Sequence, residues 1–317
     1  VELLIQNGSK VYAPVVEQGI VWDTERKGSP GKLTFTIIKD QNINFTEGNP
    51  VRLVVDGVKV FYGFIFSKKR DKQQNISVTA YDQLRYLKNK DTYVYTNKTA
   101  SGFIKMVAND YNLNLGAIEN TSFTIASRVE DNTTLIDMIQ NALDLELMNK
   151  KTMYVLYDDF GKLTLKSLGS MKLDVVIDEE TGENFDYTST IDSQTYNKIK
   201  LVYENEKTGK REVYIAQDSK NINDWGILQY YDTLQEGENG QAKVNALLSL
   251  YNAKTRNLKI TNAFGSLKVR AGSMVVVKLN LGDVSVQNFM LVERCKHTFN
   301  ESEHKMDLTL RGGEFIA

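Results

Sequence analysis

The residues best suited to bond chemistry are few and lie near the end of the chain. His297 and His304 are the only two histidines in 317 residues, and Cys295 is the only cysteine. They sit on two strand-like arms around a polar turn, Asn300 to Glu303. A Ser/His/Asp triad would have to use one of these histidines, and neither has a sequence neighbour that would orient it or activate a serine. Two histidines seven apart hold no metal without a third ligand. Glu301 and Glu303 are close by, but in a polar turn they read as solvated. Cys295 lies among apolar strand residues and reads as a buried, inert thiol. The acidic run Asp178–Asp186 lacks the alternating oxygen ligands and closing Glu of a calcium loop. No HExxH, CxxC, GxSxG or phosphate loop is present, and Gly28-Ser-Pro-Gly31 reads as a turn. The expectation is no catalytic, cofactor-binding or metal-binding residue. Paired carboxylates for glycoside cleavage stay open, since their separation belongs to the fold.

The elements around these residues point to a β-rich α+β chain. Hydrophobic residues make up 41%, which supplies real cores. With 39 basic and 40 acidic residues the net charge is −1, so no general basic field exists for nucleic acid or anionic membrane. A lone cysteine fits assembly in a reducing cytoplasm. No apolar run approaches the ~20 residues of a membrane span, and the start shows no secretory signal.

Leu33–Ile37 and Val51–Val55 alternate with period two, and Asp56-Gly57 signals a tight hairpin leading into Val58–Phe66. Gly63 inside that run suggests a bulge or a close backbone approach. Asn75–Ala80 adds a strand and Tyr81–Leu87 a short helical turn. The polar run Lys88–Lys98 reads as a boundary. Thr99 caps a helix through Phe103, Val107 and Tyr111. A second helix runs from about Asn132 to Met148 with Leu135, Ile139, Leu143 and Leu147 in one row. Met153–Tyr157 and Lys162–Leu168 form a hairpin. Ile199–Tyr203 and Arg211–Ile215 form another, Val244–Tyr251 marks a helix, and Leu258–Ile260, Leu267–Val269, Met274–Leu279 and Phe289–Val292 read as strands. Three units follow: 1–91, an N-terminal β domain; 92–170, an αβ module with two helices and a hairpin; and 171–317, a C-terminal β domain with one helix near 241–252.

Three segments carry a family resemblance. Phe45-Thr-Glu-Gly-Asn-Pro-Val-Arg-Leu53 with Val60-Phe-Tyr-Gly-Phe-Ile65 contributes Glu47, Gly48 and Gly63. Val78–Leu87 with Thr99–Ile104 contributes Tyr81 and Asp82. Leu267–Val277 with Val292–Leu310 contributes Gly272, His297, His304 and Met306. Together they resemble the baseplate hub proteins of contractile phage tails, of the XkdQ/YqbQ type found in defective prophages and phage-tail-like bacteriocins (tailocins), related to late control protein D. The resemblance implies two tail-tube-like β-barrel or sandwich domains flanking the αβ module. It implies a homotrimeric ring that matches a hexameric tail tube on one face and a trimeric spike on the other. Its partners would be the tail tube protein, the central spike and other baseplate proteins, a LysM-containing one among them. DNA or payload would pass through the channel without sequence recognition. The place would be the baseplate of the particle, after assembly in the host cytoplasm.

The charged hairpin ends, with Lys68, Lys69 and Arg70 in one and Lys207, Lys210 and Arg211 in the other, suit partner contacts, since charge guards an unpaired edge. The plainer reading of each is a solvated turn. A β-rich adhesin is a second reading, for which Trp22 and Trp225 are the only tryptophans. A cell-wall glycosidase is a third.

Overall fold

The computed structural model of the chain describes residues 1–312 apart from 18, 193, 206–208, 235–238 and 281–284. The first part is all strand: β1 (Glu2–Asn7), β2 (Lys10–Tyr12), β3 (Ile20–Glu25), β4 (Lys32–Ile37), β5 (Pro50–Val55), β6 (Val58–Arg70) and β7 (Ile76–Tyr81). A 3₁₀ turn, Gln83–Lys88, leads to β8 (Lys90–Thr99), α1 (Ala100–Asp110), β9 (Leu115–Ile118), β10 (Thr124–Thr134), α2 (Leu135–Lys150), β11 (Tyr154–Asp158) and β12 (Leu163–Ser167). After a second 3₁₀ turn come β13 (Lys172–Ile177), β14 (Asn184–Thr190), β15 (Lys198–Asn205), β16 (Lys210–Gln217), α3 (Ser219–Trp225), β17 (Gln229–Thr233), α4 (Gly240–Tyr251), β18 (Thr255–Phe264), β19 (Met274–Asn280), β20 (Ser285–Phe299) and β21 (His304–Gly312). The fold is mainly β, as the alternation predicts.

Strand alternation buries one side of each strand. In β4 the residues Leu33, Phe35 and Ile37 are buried and the threonines between them are not. They join Ile5, Leu53 and Ile65 in the first core. The Asp56-Gly57 turn has both residues at positive φ, 50° and 77°, as a two-residue hairpin requires. From the third core, which includes Ile177, Val277, Cys295 and Leu308, six strands run in the order β13-β19-β20-β21-β18-β14. β13 and β14, consecutive in the chain, are therefore the two ends of that curled sheet. In the first part, β1 lies between β2 and β5, and a single bridge from Val16 to Ile37 brings the β2–β3 connection back beside β4. Among the described residues neither half is closed by a continuous ladder.

The two parts are one sheet. β3 pairs antiparallel with the second half of β20, from Ile20 opposite Phe299 to Glu25 opposite Arg294. β20 serves this role because it is long: its first half pairs with β19 and its second half with β3, while β21 runs along its other side. Ion pairs stitch the seam. Arg294 donates twice to Asp23, at 3.0 and 2.7 Å. Arg26 donates twice to Glu293, at 2.7 and 3.0 Å.

Between them, α1 and α2 pack under a two-stranded ribbon of β8 and β10, with Phe103, Ile104, Leu135 and Ile139 buried. Thr99 and Thr134 cap the two helices through their hydroxyls. Three readings change. The polar run Lys88–Lys98 is strand from Lys90 onward; its outward side chains face solvent, which makes it look like a loop. The second helix starts at Leu135, because Asn132 takes φ 49° at a bulge and Thr134 is the cap. Leu267–Val269 is a turn, not a strand.

Candidate functional site

The terminal hairpin forms as the sequence predicts, with β20 and β21 paired from Leu291 to Phe299. His297 is fully buried on β20, stacked on Trp22 with ring centres 4.9 Å apart. Its Nε2 lies 2.9 Å from the Val269 carbonyl, and its Nδ1 lies 2.8 Å from Nε2 of His304. A carbonyl only accepts, so Nε2 of His297 carries the proton and Nδ1 accepts from His304. Both rings are then neutral donors in a relay. Burial drives the His297 pKa down to about 3 and lowers that of His304 as well. Cys295 Sγ is 3.1 Å from His297 Nε2, and burial pushes its thiol pKa up. A neutral thiol beside a neutral imidazole is a poor nucleophile. Among the described residues no group of three His, Cys, Asp or Glu side chains is placed to hold a metal. Trp22 is buried, so it offers no exposed platform for a sugar ring.

The turn at 267–269 explains itself here: it aims the Val269 carbonyl at His297 and leads into Arg270. The Arg270 guanidinium lies 4.0 Å from the ring centre of Tyr157 and 5.7 Å from that of Trp22. It faces two buried carboxyls from other elements. Asp82 accepts from Gly31 N at 2.8 Å and Leu84 N at 3.0 Å, capping the first 3₁₀ turn. Asp158 accepts from Gly161 N at 2.6 Å. Burial, then the Asp158 charge, raises the Asp82 pKa well above the usual carboxyl range; burial also raises that of Asp158. Arg270 Nε and Asp158 Oδ2 are buried without a hydrogen-bond partner. This junction brings together β3, the β7 exit, the β11–β12 hairpin and the turn before β19. Sequence reading singled out Asp82 but neither Arg270 nor Asp158.

The other motif residues have local reasons. Gly48 turns with φ 85° and donates to Ile65 O at 2.7 Å, while Glu47 beside it is exposed. A β carbon on Gly63 would lie 2.3 Å from Tyr81 O, so β6 reaches β7 only with glycine there. Tyr81 itself meets Phe66 edge-on. Gly272 combines φ 91° with a contact that would put a β carbon 2.5 Å from Val155. Buried Met306 accepts from Ser266 N through Sδ at 3.4 Å. Gly63→Ala is expected to cost about 1–3 kcal/mol, as overpacking against backbone does. An unchanged denaturant midpoint would contradict the close approach.

The candidate interface residues fall on two separate sheets. Lys68, Lys69 and Arg70 end β6 and are exposed. Lys68 is engaged within the chain, donating to Phe45 O at 2.7 Å and lying over the Phe45 ring. Lys210 and Arg211 begin β16; Arg211 donates to the Tyr231 hydroxyl at 2.9 Å. Lys207 lies outside the described residues.

A family model described as YQBQ-like matches residues 20–311. The uncharacterized protein YqbQ of Bacillus subtilis (strain 168) is 31% identical over 310 residues, covering 94% of this chain and 92% of that protein. The phage-like element PBSX protein XkdQ of the same strain is 28% identical over 309 residues, covering 94% and 93%. The 43 kDa tail protein of prophage MuSo2 from Shewanella oneidensis superposes with a TM-score of 0.71 over 98% of each chain, at 12% identity. At that identity the likeness is one of fold.

Proposed function

The chain belongs to the YqbQ-like family, and from that premise we propose that it is a structural component of a phage-type tail, the hub at its tip. Three copies form a ring that joins the tail tube to the central spike and nucleates tube assembly. The observation that carries this reading is the presence of two curled β-sheets in one chain, fused through β3 and β20. Two such units in each of three chains give six, the number needed to meet a six-fold tube, while the chain itself keeps the three-fold symmetry of a spike. The likeness in fold to a prophage tail protein and the identity with a protein of a phage-like element support it. In this reading the work is assembly and passage of DNA or payload through a channel. The histidine relay and the Arg270 junction hold the two sheets and the middle module in register, and no residue performs bond chemistry. The division into units 1–91, 92–170 and 171–317 is part of the proposal. So are a contractile tail, a phage or tailocin particle, and neighbours that include a LysM-containing baseplate protein.

The test is a symmetric reconstruction of the tail tip with this protein located in it. Three copies are expected, and any other number overturns the ring. The hairpin ends belong to the same reading. Charge reversal at Lys69 and Arg70, which spares the Lys68 contact to Phe45, is expected to leave the thermal midpoint unchanged and lower the yield of normal tails. Reversal of Lys210 and Arg211 together is likewise expected to lower the yield of normal tails, with a loss of stability of no more than about 1 kcal/mol from the exposed Arg211 contacts to Tyr231 and Glu204. Normal yield from both variants would remove these ends from the interface.

A further inference from the structure

A pocket of about 270 Å³ lies where three parts of the chain meet. α2 contributes Leu147 and Met148, the end of α4 contributes Leu250 and Tyr251, and the main sheet contributes Leu291 and Arg311. Leu291 is buried and the others are half-buried, so the pocket presents an apolar wall. A cavity of ~150 Å³ lined by aliphatic side chains takes up a benzene ring, and this one has room for a phenyl group. Three cations also line it, Lys27, Lys254 and Arg311. Two of them are engaged: Lys27 Nζ lies 3.4 Å from Asp144, and Arg311 Nε lies 2.8 Å from Glu293. Lys254 is exposed, and its side chain has no partner among the described residues.

The last strand runs towards this pocket. β21 pairs antiparallel with β18, and the ladder ends with Leu310 opposite Leu258, Arg311 opposite Asn257 and Gly312 opposite Arg256. One step forward on β21 is one step back on β18. Continued in that register, the next three residues of the sequence, Gly313, Glu314 and Phe315, would fall opposite Thr255, Lys254 and Ala253, and these three all line the pocket. Glutamate would then meet the uncommitted lysine as a cross-strand pair of opposite charge. Alternation along the strand decides where the ring goes. Leu308 and Leu310 are buried in the third core. Arg311 lies on the other side, where its cross-strand neighbour Leu291 clusters with Val155 and Tyr157. Phe315 follows Arg311 by four residues, an even number, so an extended strand puts both on one side. That is the side of the pocket, since Arg311 and Leu291 line it.

We propose that residues 313–316 continue β21 and dock on this pocket, with Glu314 paired to Lys254 and Phe315 seated among Leu147, Met148 and Leu250. Register, charge and the side of the strand all select the same occupant, a segment of the same chain. The contact fastens the end of the main sheet to α2 of the middle module and to α4, which packs on the small sheet β16-β15-β17. It needs no neighbouring subunit, so it is independent of the hub reading.

The experiment uses the full chain with isotope-labelled methionine methyl groups, observed by NMR. A ring seated in the pocket shifts the methyl signals of Met148 and Met153, which line it. Phe315→Ala should move both signals and leave that of Met306, buried in the third core, in place. It should also lower the folding equilibrium constant by ~10-fold, the scale of giving up one buried aromatic side chain. Glu314→Lys should move the two methyl signals part of the way, and Lys254→Glu in the same chain should move them back. A cross-link gives the second measurement. Glu314→Cys with Lys254→Cys should be joined within one chain by a short bismaleimide, while native Cys295 is wholly buried. Methyl signals unmoved by Phe315→Ala overturn the proposal, and so does a cysteine pair that is not joined or is joined only between two chains.

Discussion

Arg270→Met is expected to destabilise the protein by about 1–3 kcal/mol at pH 8, the scale for taking a nearby polar group away from buried carboxyls. Asp82 and Asp158 are 4% and 6% exposed, and Arg270 is the cation that faces both. Methionine fills the aliphatic path between Tyr157 and Trp22 and removes only the charge. The loss should shrink as pH falls, because the carboxyls can then take up protons. Both have raised folded pKa values, so their neutral forms are the ones burial favours. Arg270→Met with Asp158→Asn should recover part of the loss, since it removes one of the stranded charges. Urea unfolding of the three proteins at pH 8 and pH 5 measures this. Equal loss at both pH values would mean that packing over Tyr157, not charge, is what Arg270 supplies.

The contrast between Arg270 and the motif residues shows what the sequence could and could not reveal. Alternation in Leu33–Ile37, the Asp56-Gly57 turn, the stripe from Leu135 to Leu143 and the cap at Thr99 all act within a few residues, so they are readable in order along the chain. The β8–β10 ribbon escaped because only one of its sides meets α1 and α2. Val94 and Val129, opposite each other, are 67% and 65% exposed, and the strands around them are polar. The seam escaped for a different reason. Asp23 and Arg294 are 271 residues apart, and no local pattern records which strands of two sheets will share an edge. Leu267–Val269 misled because its alternation serves two cores. Leu267 packs against the first core and Val269 lies in the third. Family likeness pointed to Asp82, His297 and His304 without saying what they touch. Contacts supply that: each sits where one part of the chain is held to another.

The second large effect follows from the histidine relay. His297 has a folded pKa of about 3 against roughly 6.5 in an unfolded chain, and burial is the cause. A histidine lowered in this way is held neutral by the fold. Its contribution is complete above pH ~6.5 and is lost as pH falls from there towards 3, because the unfolded chain takes up the proton first. At pH 5 the loss from His297 alone is about 2 kcal/mol, and His304, also lowered, adds in the same direction. Asp82 acts with the opposite sign. Its raised folded pKa favours the fold as pH falls, so the total curve is flatter than the histidine part. The clean measurement is therefore a difference. His297→Gln keeps an amide that can donate to Val269 O and accept from His304, but it does not titrate. Wild type should lose about 2 kcal/mol more than this variant between pH 8 and pH 5 in urea unfolding. Parallel curves would mean that His297 is already charged in the fold. That would reverse the donor order of the relay, because a charged ring donates from both nitrogens and His304 would have to accept.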